Sequence, residues 1–188
     1  MKNFVRSAGL VALVFALTLA LTLSGPRAAD SALPKRAGPP AETTQGIPHV
    51  QIGAEAVPEL SAELLRRVAL LPGLEIRPTV IGMWGAQGFW LGNELTLIRP
   101  EGIFRGREFA HQHPDGSLHA SLPPDRAADA IAAGWAVAHP SAQFHERLQG
   151  FVMLFTPRNA EELEVIFSLI VDGYNFIAGR DERAERFR

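Results

Sequence analysis

The tripeptide Pro114-Asp115-Gly116 constrains this chain more than any other feature. Proline presets the first position of a tight turn, and glycine can take the left-handed conformation that closes a bulged hairpin. A turn here predicts two paired strands, with His113 facing Ser117 and His111 facing His119. Side chains two apart on a strand share a face. Arg107, Phe109, His111 and His113 therefore align on one strand, with Ser117, His119 and Ser121 opposite. Three of the six histidines gather on one sheet face. Imidazoles placed together can relay protons, bind a metal or hold an anionic ligand. On a regular strand Glu108 points to the other face, where a salt bridge is its expected role, with Arg158 a candidate partner.

The N-terminus bears on the compartment. Lys2 and Arg6 precede the almost wholly apolar stretch Ala8 to Leu23, which Ser24-Gly25-Pro26 ends. The stretch is long for the apolar part of a signal peptide and short for a membrane span of about 20 residues. Residues 1–24 are read as a signal peptide or a membrane anchor. Either reading exports the remainder to the periplasm or exterior, with a membrane contact if the segment stays uncleaved. Residues 25–48, rich in proline, alanine and glycine, read as a disordered linker. Residues 49–180 suit one compact domain, and 181–188 a charged, solvated tail.

The absence of cysteine excludes disulfides, thiolate metal sites and a cysteine nucleophile. A net charge of −2 with no basic patch gives no reason to expect a nucleic-acid partner. Nothing matches a nucleophile elbow, a phosphate loop or a dinucleotide fingerprint.

Leu60, Leu64, Val68 and Leu71 form a helical stripe ended by Pro72-Gly73. The region 75–91 reads as two strands around Gly85 to Gly88, with Val80, Ile81, Met83, Trp84, Phe89 and Trp90 as sheet residues. Residues 94–98 suggest a further short strand. A helix opens at Pro123-Pro124-Asp125 and ends near Ala133. Residues 134–140 form a connection, and 150–155 a buried strand. A last helix begins at Asn159, an N-cap with Glu162 at the capping-box position, and buries Leu163, Ile166, Phe167, Ile170, Tyr174 and Ile177. Strands cluster instead of alternating with helices, which predicts an α+β fold: an antiparallel sheet with helices on one side.

Several spaced motifs occur in one order: Arg107-Glu108-x-Ala110-His111-x-His113, Leu118-His119, Gly134-Trp135-x-x-x-His139-Pro140, and Thr156-Pro157-Arg158-Asn159-x-Glu161-Glu162. Across about residues 104–178 this pattern resembles the luciferase-domain family, whose named members are the fungal luciferases. The resemblance implies an oxygenase that oxidises a hydroxylated pyrone with O2, loses CO2 and uses no known organic cofactor. Light emission is a narrow specialisation and is not expected here. Carried onto matching positions, the resemblance implies site roles for Arg107, Glu108, His111, His113, His119, Trp135, His139 and Arg158.

Together these readings give an expectation of a cofactor-independent oxygenase for a small enolisable compound of pyrone or polyphenol type. His111, His113 and His119 would be its acid–base groups, with Arg107, His139, Arg158 and Trp135 binding substrate. A divalent transition metal on the same three histidines is the alternative, since His-x-His with a third histidine on the paired strand is ligand-like. A non-catalytic small-molecule binding module of the cell envelope is the alternative from another class. His139 could be structural, Trp135 a core aromatic, and Arg158 an ion-pair partner. His49 and His145 are expected to be exposed.

Overall fold

The computed structural model describes residues 32–188. The apolar N-terminal segment lies outside the described residues, and no described helix is long and apolar enough to cross a membrane.

Six strands form one antiparallel sheet: β1 (Leu74–Pro78), β2 (Gln87–Leu91), β3 (Glu108–Gln112), β4 (Leu118–Ser121), β5 (Ala136–Ala138) and β6 (Phe151–Leu154). Their spatial order is β1-β2-β3-β4-β6-β5. Among the described residues three helices accompany them: α1 (Pro58–Val68), α2 (Pro124–Ala132) and α3 (Ala160–Ala178). The fold is α+β as expected, with α3 packed on β3 and β4, α2 on β5 and β6, and α1 on α3.

The hairpin has the predicted register. His111 pairs with His119, the His113 amide donates to the Ser117 carbonyl at 2.8 Å, and Gly116 takes φ +84°. Alternation along β4 then divides its side chains. Leu118 and Ala120 join the apolar core, and His119 lies on the other face. On β6, Val152 and Leu154 join the same core while Phe151 faces the histidines.

The core lies between sheet and helices. Phe89, Phe109, Phe167 and Tyr174 have no exposed surface, and burying each such ring contributes roughly 1.5–3 kcal/mol. Asn159 caps α3 by accepting from the Glu162 amide at 2.9 Å. Gly179, at φ +63°, ends it in the left-handed conformation. Gly173 lets α3 approach the sheet closely, since a Cβ there would lie 2.5 Å from the Ser121 carbonyl oxygen.

β3 is not regular. Phe89 pairs with Ala110 but Trp90 pairs with Glu108, so Phe109 is an extra residue opposite β2. Such a bulge resets the alternation. Phe109 and Ala110 both enter the core, and Glu108 is returned to the histidine face.

Several expected elements differ. Residues 79–86 form a loop, not strand, and Trp84 is 98% exposed. Residues 94–98 are irregular, held by the Arg107 guanidinium and by the Ile98 amide donating to the Ile177 carbonyl. The connection after Gly134 contains β5. The described part of the expected linker is packed instead of free. Arg36 pairs with Glu162 at 3.2 Å, and the Pro34 carbonyl accepts from Trp135 Nε1 at 2.6 Å. Buried partners for a guanidinium and an indole outweigh the low apolar content that suggested disorder. The tail also turns back. Asn175 binds both the amide and the carbonyl of Glu182, and a 3-10 turn over Ala184–Phe187 buries Phe187.

Candidate functional site

A cavity of about 280 Å³ opens on the sheet face away from the helices. Among the described residues, every polar side chain in its lining is an imidazole: His49, His111, His113, His119 and His139. Its apolar lining includes Ile47, Val50, Ile81, Met83, Phe104 and Phe151. All five histidines are at most 8% exposed. The volume lies at the small end of the range for ligand pockets, which are commonly apolar with a few convergent polar groups.

Each histidine is positioned by local structure. His111 and His119 face each other across β3 and β4. His113 stands where β3 enters the turn. His139 sits at the start of a 3-10 turn over Pro140–Gln143, and its Nδ1 accepts from the Ser141 amide at 3.0 Å. His49 comes from the segment before α1, where Thr43 and Gln51 form an isolated antiparallel bridge.

The hydrogen bonds fix which nitrogens carry protons. Glu108 accepts from Thr79 Oγ1 at 2.6 Å and from the Val80 amide at 2.8 Å. His111 Nδ1 lies 3.0 Å from Glu108 Oε1. The contact is bent enough that this nitrogen has no well-aligned partner. A lone pair this close to a carboxylate oxygen would be repelled, so Nδ1 carries the proton. His111 Nε2 then accepts from His119 Nδ1 at 3.1 Å, and His119 Nε2 accepts from His49 Nδ1 at 3.1 Å. The result is a directed chain, His49–His119–His111–Glu108.

A second arm runs through the turn. Ser117 Oγ donates to Asp115 Oδ1 at 2.7 Å and so accepts from His113 Nδ1 at 3.0 Å. His113 Nε2 is left as a lone pair. His139 has the opposite tautomer, because its Nδ1 is already an acceptor. Its Nε2–H is a donor.

Burial and crowding keep four of these rings, His49, His113, His119 and His139, neutral. Burial lowers His113 to about 4, with repulsion from His111 adding to it and Asp115 opposing. Burial and the neighbouring imidazoles lower His139 to about 4. The same causes hold His119 well below the usual histidine range, and burial lowers His49. An imidazolium would be costly here unless an anion accompanied it.

Gly82 completes the wall. A Cβ at this position would lie 2.8 Å from His111 Cδ2. The loop carrying it is held by Thr79 Oγ1, which accepts from the Gly82 amide at 2.8 Å. Glu108 thus anchors the wall and backs His111 at once.

The structure brings four residues expected at the site into the pocket: His111, His113, His119 and His139. It does not bring in the other three. Arg107 donates to the carbonyls of Leu91, Gly92 and Leu95, at 2.6–2.7 Å; the bulge has turned it to the other face. Arg158 pairs with Glu162 and donates to the Ala37 carbonyl at 2.6 Å. Trp135 is buried against Pro34 and Arg36. Glu108 meets His111 and not Arg158. His49, expected to be exposed, is 5% exposed and stacks on His119, while His145 is exposed as expected. Nothing local announced that His49 would stack on His119 and meet His139 edge-on.

Residues 106–171 match the family model described as Luciferase domain. That span runs from β3 into α3 and contains every pocket histidine except His49. No curated protein and no solved structure matches the chain. The chain carries a luciferase-like domain.

Proposed function

We propose that this pocket is an oxygenase site for a small enolisable compound of pyrone or polyphenol type, acting on O2 without emitting light. One observation carries the reading: five imidazoles, three of them oriented by Glu108, Asp115 and Ser141, are the polar side chains of an otherwise apolar pocket.

The chemistry follows from the tautomers. His49 Nε2 takes the enol proton. His49 Nδ1–H passes to His119 and His119 Nδ1–H to His111, which ends as an imidazolium beside Glu108. His139 Nε2–H donates to the anionic oxygen, and His113 Nε2 accepts from a substrate hydroxyl. The low proton affinity of the empty pocket is compensated when an enolate supplies the opposite charge. The electron-rich carbon then gives two electrons to O2 and forms a C–O bond. O2 is reduced to the peroxide level, and the proton returns to its terminal oxygen, so substrate and O2 yield one hydroperoxide. The apolar walls exclude water from the anion. The fused apolar segment supports placing this chemistry outside the cytoplasm.

O2 uptake with a panel of hydroxypyrones and polyphenols tests the proposal. Uptake by the wild type should fall about 10²–10⁴-fold in His49→Gln. Substrate binding without O2 uptake would support the alternative, a non-catalytic binding module. A reporter that works only outside the cytoplasm, fused after Arg180, should be active; a silent fusion would defeat the export reading.

A further inference from the structure

We infer that His111 Nε2, His113 Nε2 and His119 Nδ1 also form a site for one divalent transition ion such as zinc, and that this ion and the proton chain exclude each other.

Two triads of buried histidines present ligand atoms within 4.8 Å of one another: His111, His113 and His119, and His49, His119 and His139. Hydrogen bonding separates them. A neutral histidine ligates through the nitrogen whose partner nitrogen carries the proton, and that proton is usually given to a carboxylate, carbonyl or water. His111 meets this condition through Glu108, and His113 meets it through Ser117 and Asp115. Both therefore have Nε2 as the lone-pair nitrogen. His139 fails it, because its Nδ1 accepts from the Ser141 amide and its Nε2 therefore carries the proton. The first triad is the one with carboxylate-backed ligands. The 3.1 Å between His111 Nε2 and His119 Nδ1 also suits two nitrogens that each lie about 2.0–2.1 Å from one ion.

Occupancy has a chemical consequence. His119 Nδ1 now carries the proton that it gives to His111. An ion needs that lone pair, so the proton must move to His119 Nε2, which then donates to His49 Nδ1. The His49 end of the chain loses its free lone pair at Nε2. Zinc should therefore block proton uptake in the reaction proposed above. This consequence rests on that proposal; the metal site does not.

Calorimetric titration of the metal-free full chain with zinc chloride is the test. One ion per chain is expected. Ser117→Ala leaves every ligand in place and should weaken binding about 10–100-fold. His139→Ala should leave binding unchanged. Should a histidine variant fail to fold, long-range 1H–15N spectra of the wild type give an independent readout. His119 should change from Nδ1–H to Nε2–H when zinc is added. Absence of stoichiometric binding, loss of binding in His139→Ala, or an unmoved His119 tautomer would overturn the site. Zinc binding by a protein whose metal-free form takes up no O2 with any substrate would leave the site standing and count against the oxygenase. Activation of uptake by bound zinc would overturn the mutual exclusion.

Discussion

On the helix side of β4, Leu118 and Ala120 belong to the apolar core; on the other side, His119 meets four imidazoles. Adjacent residues on one strand thus serve two different purposes. The helix face is a closed packing problem, in which each side chain removes its own apolar surface from water. The histidine face removes polar rings from water and compensates them through a chain of hydrogen bonds ending on Glu108. Truncation on the first face should cost stability. Truncation on the second should cost function first.

The largest effect that would sharpen this contrast is on the helix face. Phe167→Ala should lower unfolding free energy by about 3–5 kcal/mol in a urea titration. His119→Ala should lower O2 uptake by about 10²–10⁴-fold, equivalent to a barrier of about 3–5 kcal/mol, while stability falls by about 1–3 kcal/mol. Equal losses of stability and activity would erase the distinction between the faces.

Acid should break the histidine face selectively. His113 and His139 titrate near 4 when folded and near the ordinary 6.5 when unfolded. Above about 6.5 both states are neutral and the full stability is present. As pH falls from there to about 4 the unfolded chain binds more protons, so stability declines. The slope is on the order of 1 kcal/mol per pH unit for each histidine. Denaturant midpoints measured across this window check it, and a flat profile would contradict neutral buried rings. The smallest effect is expected outside both faces. Arg158→Ala removes a half-exposed partner of Glu162 and should cost at most about 1 kcal/mol, with O2 uptake unchanged.

Much of this contrast was legible in the sequence because it depends on local rules. Pro114-Asp115-Gly116 set the hairpin register, and strand periodicity put His111, His113 and His119 together. Asn159 and the apolar stripe of α3 marked the last helix. What was not legible depends on contacts distant in sequence. The bulge at Phe109 comes from pairing with β2, and it exchanges the faces of Arg107 and Glu108. His49 reaches His119 across 70 residues, and no local pattern records that closure. The exposed loop with Val80, Met83 and Trp84 has strand-like composition. It is held instead by Glu108 and Thr79.

The direction of the histidine chain can be measured without knowing the substrate. Long-range 1H–15N correlation spectra of the metal-free protein at neutral pH report which nitrogen of each ring bears the proton. Nδ1–H is expected for His49, His111, His113 and His119, and Nε2–H for His139 alone. His119 or His49 found as Nε2–H tautomers, or an imidazolium at His49, His113, His119 or His139 in the empty pocket, would overturn that direction.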